Sequence, residues 1–90
     1  MSLNDYRDEA GLFIKAIGAE GEDVCKIVKM LEEELEILKN SVDNKDNMEH
    51  QVYDMLFVLF EIAAKYNMNL DLQWGKGRKR KEQKYLNMKK

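Results

Sequence analysis

The chain contains no proline, a single cysteine and a single histidine. With no proline to interrupt it, and with Leu, Lys, Glu and Met plentiful, the composition is that of a helix former. The lone Cys25 excludes an intramolecular disulfide framework and is compatible with a reducing, cytoplasmic setting. No companion residue suggests a nucleophilic pair, so Cys25 reads as a packed or exposed thiol. No basic segment followed by an apolar one opens the chain, and no signal peptide is expected. Strand-like alternation and internal repeats are missing too. So are a Gly-rich phosphate loop and the CxxC, HExxH and GxSxG signatures.

What is present is one small domain of 90 residues, ending in a basic segment over 75–90. A chain of this size buries roughly 60% of its surface, which makes dimerisation a natural supplement. The net charge of −2 hides a division: residues 74–90 hold eight Lys/Arg and one acid, a balance of +7, while residues 1–73 hold seven Lys/Arg and sixteen acids, a balance of −9. An acidic body suits cations and a basic tail suits anions such as phosphates.

Periodicity predicts four helices. Ser2-Leu3-Asn4-Asp5 fits a capping box, and Tyr6, Ala10, Phe13, Ile14 and Ile17 follow at helical spacing until Gly18 and Gly21 break the first helix. The second runs from about Glu22 to Asn40, with an apolar stripe of Val24, Ile27, Val28, Leu31, Leu35 and Leu38. The third starts near Asp46 or Asn47 and stops near Asn67. Its central stretch, Gln51–Tyr66, is apolar at twelve of sixteen positions and apolar on every side from Met55 to Phe60. Such a helix is expected to be buried, and it is too short and too acidic to span a bilayer. Asn69 or Asp71 is placed to cap a fourth helix through Leu70, Leu72 and Trp74. Gly75 and Gly77 weaken that helix, leaving Gly77–Lys81 irregular or frayed. An all-α bundle with antiparallel neighbours follows.

The acids carry the chemistry. Asp54 sits on the most apolar segment, where a carboxylate must be paired, protonated or bound to a metal. Glu33 and Glu36, in Lys29–Glu36 (KMLEEELE), are i,i+3 neighbours able to converge on one cation; Gln51 and Asp54 repeat that spacing. On a helical wheel, however, Glu33 and Glu36 point away from the apolar stripe, so a plain solvated face with a Lys29–Glu33 pair is the competing reading. His50, one turn before Asp54, either joins that site or is a first-turn polar residue. Met30, Met48, Met55, Met68 and the aromatics read as core, with Trp74 as core or interface. The basic segment Lys76–Lys84 reads as a solvated helix end or a clamp for a triphosphate, and nucleic acid is the weaker partner for it.

The layout resembles that of the MazG-like, all-α nucleoside triphosphate pyrophosphohydrolases. KMLEEELE is similar to their KLxEExxE segment, QVYDMLFVLFEIAAKYNMNLD to their ExxD helix and capped fourth helix, and GRKRKEQKY to the Lys/Arg-rich close of that helix. The resemblance spans roughly Val24–Tyr85. It implies a four-helix MazG-like bundle completed by oligomerisation as a dimer or tetramer, cytoplasmic and with no membrane. It also implies hydrolysis of a nucleoside triphosphate to monophosphate and pyrophosphate with Mg²⁺, or Mn²⁺. Carried over by position, Glu33, Glu36 and Asp54 are the metal ligands and catalytic acids, with Gln51 a weak fourth. Lys29, Lys76, Arg78 and Arg80 are the phosphate contacts. One position departs from the pattern: the family's ExxD opens on a carboxylate, and here it is Gln51. The amide keeps an oxygen donor but removes a negative charge. That opens an alternative, a catalytically degenerate helical oligomer that binds nucleotide or a protein partner without turnover.

Overall fold

The computed structural model describes residues 1–86. Within them the chain is all-α: α1 Leu3–Ala16, α2 Val24–Lys39, α3 Lys45–Lys65 and α4 Leu70–Lys81, the last running on into a wider, π-helical turn over Glu82–Leu86. The capping box forms as the sequence predicts, Asp5 N donating to Ser2 Oγ at 3.2 Å and Ser2 N to Asp5 Oδ2 at 2.9 Å. Asp23 caps α2, Asn44 caps α3 and Asn69 caps α4, each by accepting a first-turn amide. α1 and α3 end on left-handed residues. Gly18 (φ 74°) follows α1 and Asn67 (φ 50°) follows α3. In each case the next amide reaches back into the last turn, Ala19 N to Ile14 O at 3.0 Å and Met68 N to Ala63 O at 2.9 Å, which closes a Schellman motif.

α3 is the axis, with α1 and α2 each packed along it and α4 seated on α1. Gly11 permits the close approach of α1: a Cβ there would stand 3.1 Å from the Cβ of Ala64. The seam between α1 and α4 is polar. Asp71 accepts the amides of Leu3 (2.9 Å) and Asn4 (3.3 Å), while Asn4 Oδ1 accepts the amide of Leu70 (2.8 Å), so the two helix starts cap one another. Arg7 Nη1 adds a bond to the Met68 carbonyl at 2.7 Å.

Three expectations are corrected. Met30, Met68 and most of the aromatics, among them Phe13, Tyr53 and Trp74, are exposed rather than core. The stretch Gly77–Lys81 is helical rather than frayed. Its Lys and Arg are good helix formers, and Arg78 Nε and Glu82 Oε1 stand 3.1 Å apart at i,i+4 spacing. The central stretch of α3 is not buried on every side either. Val58 and Ala63 are buried, but Val52, Tyr53, Leu56 and Leu59 are exposed, because among the described residues α1 and α2 alone pack extensively along this helix. The chain exposes 7221 Å², where a folded monomer of this mass exposes about 5,500 Å². Its radius of gyration is 15.7 Å, against roughly 12 Å for a compact chain of this length. Among the described residues no helix is long and apolar enough to cross a membrane.

Candidate functional site

The stripe on α2 turns slightly from the position its apolar residues suggest. Ile27 is buried and Val24, Leu31 and Leu38 are half-buried, but so is Glu34, whereas Val28 and Leu35 are exposed. Glu34 faces inward because α3 offers it a partner. Gln51, only 5% exposed, donates from Nε2 to the Glu34 carbonyl oxygen (3.0 Å) and to the Glu34 carboxylate. A buried amide and a half-buried carboxylate thus satisfy each other. The signal was present in the sequence as a gap, since Glu34 stands midway between Leu31 and Leu38 on one helical face.

Asp54 lies one turn beyond Gln51 with its side chain 37% exposed, and its Oδ2 stands 3.4 Å from His50 Nε2. It is therefore partly solvated, which answers the cost of placing a carboxylate on this helix. It opens onto a cavity of about 480 Å³ lined also by Glu9, Phe13, Glu34, Tyr53, Phe57 and Val58. Gln51, Asp54 and Glu34 are thereby brought to one region of the α2–α3 seam. Glu33 and Glu36 are not brought there: both are exposed, and Glu36 pairs with Lys39 at 3.2 Å. Lys29 is exposed, and among the described residues it forms no ion pair with Glu33. Lys76, Arg78 and Arg80 are exposed on α4, with Arg78 engaged by Glu82. Among the described residues no three of His, Cys, Asp and Glu are grouped to hold a metal ion. Among the described residues, the donors that the resemblance assigns to Mg²⁺ or Mn²⁺ do not converge within a single chain.

The surroundings of Glu33 and Glu36 bear on what they do. Met30 and Ile37 are exposed to one side of them, and Val28 and Leu35 to the other. The outer face of α2 thus carries four exposed apolar side chains beside its acids. A second cavity of about 480 Å³ lies at the far end of α3, where Glu20, Glu22 and Glu61 meet Ile14, Ile27 and Ala64. Lys65 closes it by donating to the carbonyl oxygens of Glu22 (2.7 Å) and Glu20 (3.5 Å). Burial, reinforced by the neighbouring Glu22, raises the Glu61 carboxyl above its usual range.

Set against known proteins, the chain matches no family model, no curated protein and no solved structure.

Proposed function

We propose that the chain is one subunit of a homo-oligomeric nucleoside triphosphate pyrophosphohydrolase, whose site forms only when a second copy covers α2. The observation that carries this reading is the outer face of α2, where Glu33 and Glu36 stand between exposed Met30, Ile37, Val28 and Leu35. Acids embedded in apolar surface suit a cleft wall better than a solvated face. Glu33, Glu36, Asp54 and the Gln51 oxygen are the donors that the acidic signature assigns to a divalent cation, and they would have to be drawn from two copies because one chain does not bring them together. Lys29, Lys76, Arg78 and Arg80 supply positive charge for the phosphates. A divalent cation, when bound, would orient the triphosphate and polarise the phosphoryl centre.

A second reading, a nucleotide- or protein-binding module without turnover, is favoured by Gln51. Its Nε2 donates to Glu34 and its oxygen is neutral, so the position that would carry a carboxylate brings no negative charge. Pyrophosphate release from a panel of ribo- and deoxyribonucleoside triphosphates separates the two. The enzyme reading expects release that requires Mg²⁺ or Mn²⁺, stops with chelator, yields the monophosphate, and falls at least about a hundredfold in Glu36→Ala with helicity retained. No release from any nucleotide, with metal-dependent release gained in Gln51→Glu, moves the assignment to the binding module.

A further inference from the structure

Two surfaces of opposite character are left without a partner. The first is the cavity between α1, α2 and α3. Its walls are aromatic, with Phe13 meeting Phe57 edge-on at 5.4 Å and Tyr53 beside Phe57 at 6.1 Å. Glu9, Glu34 and Asp54 supply carboxylates around it, and among the described residues no Lys or Arg lines it. The second surface is the basic arm formed by the end of α4 and the turn after it. Lys76, Arg78, Lys79, Arg80, Lys81 and Lys84 are opposed there by Glu82 alone. Glu82 pairs with Arg78 at 3.1 Å, and Lys84 Nζ rests 5.2 Å from the ring of Tyr85. The arm's side chains are exposed, and its helix is held to the body through α1, with no extensive packing on α2 or α3.

We infer that the basic arm of one copy docks in the aromatic, carboxylate-lined cavity of a second copy. The inference rests on the self-association proposed above and adds a specific contact to it. The chemistry is complementary on two counts. Ring faces attract a guanidinium or ammonium, and do so more strongly when water is excluded. Glu9, the lining carboxylate that no other group engages among the described residues, steers the arm and holds its Lys81 or Lys84 by a charge-assisted bond. The division between a −9 body and a +7 tail is then a device for mutual recognition between copies.

The test compares the parent chain with three variants by sedimentation velocity at low and high salt. One variant reverses the arm (Arg80→Glu, Lys81→Glu, Lys84→Glu), one reverses the rim (Glu9→Lys), and one places a charge on the outer face of α3 (Leu56→Glu). Zero-length carbodiimide cross-linking with peptide mapping accompanies it. The expected result is parent self-association that weakens with salt and is roughly tenfold weaker in the arm variant. Mixing the arm and rim variants partly restores it, and Lys81 or Lys84 is found joined to Glu9 or Asp54 in the dimer band. The inference is overturned if the arm variant associates as the parent does at low salt and no arm-to-cavity cross-link forms. Loss of self-association in Leu56→Glu alone would leave the apolar interface standing and remove only the arm contact. Salt-sensitive binding of a short duplex by the arm, with self-association unchanged on reversing it, would likewise overturn the inference, because the arm's partner would then be nucleic acid. A parent that stays monomeric under all conditions removes both the arm contact and the oligomer reading.

Discussion

Glu61 faces the cavity at the far end of α3 from Asp54, and its folded environment favours the protonated form. Partial burial is the first cause and the nearby negative charge of Glu22 the second. The folded chain therefore holds this proton more firmly than the unfolded chain does. Stability falls as pH rises from the ordinary value of 4.5 through the raised folded value. Glu61→Gln removes that decline. In urea titrations the variant should be more stable than the parent at neutral pH, and the difference should shrink as the pH drops below the ordinary carboxylate range. A difference that persists unchanged into acid would show that Glu61 acts through packing instead. Asp5 behaves in the opposite sense. Its bonds to the Ser2 amide and hydroxyl lower its carboxyl, so what it contributes is lost as pH falls through the folded value. Asp5 was legible as a cap in the sequence, since Ser2 and Asp5 are three residues apart. Gln51 and Glu34 were not legible as a pair, because nothing local to either residue sets how α2 is rotated against α3.

At the scale of elements, α4 and α1 show two different uses of glycine. A Cβ at Gly75 would meet nothing within 4 Å, while a Cβ at Gly11 would press on Ala64. Gly75→Ala should therefore stabilise α4 by about 0.4–1 kcal/mol through the unfolded chain. The gain should be read as higher helicity and slower amide exchange in Lys76–Lys81. Gly11→Ala should act the other way, lowering the thermal midpoint by forcing α1 from α3. Equal effects at the two sites would contradict this account of α1 packing. The helix starts and stops were legible to within a few residues because capping side chains and left-handed residues are local signals. The helical course of Gly77–Lys81 was not, since two glycines argued against it and the gain from the surrounding Lys and Arg is diffuse.

At the scale of the whole molecule, the exposed apolar positions fall on outward faces of several helices rather than at one spot. Val52, Leu56 and Leu59 recur at four- and three-residue spacing on α3, and Leu12, Trp74 and Leu72 are exposed on α1 and α4. Leu56→Glu places a charge in the middle of the α3 stripe. If that stripe meets a second copy, self-association should weaken roughly tenfold or more, with far-UV helicity unchanged. A variant that sediments as the parent does would confine the interface to the outer face of α2, where Met30 and Ile37 stand exposed.

The sequence by itself determined the helical class, the four helices and their caps, because these depend on residues within a turn or two of one another. It also determined the separation of an acidic body from a basic tail, which is a property of composition along the chain. Tertiary structure alone decided which acids meet. The packing of α2 on α3 turned Glu34 inward to Gln51 and left Glu33 and Glu36 outside, a rotation that periodicity leaves open when a helix carries acids on more than one face. It decided as well that Asp54 is half-open beside His50 instead of sealed in a core. The reason is geometric: two flanking helices cannot enclose a third, and the side that remains uncovered is set by where the neighbours pack.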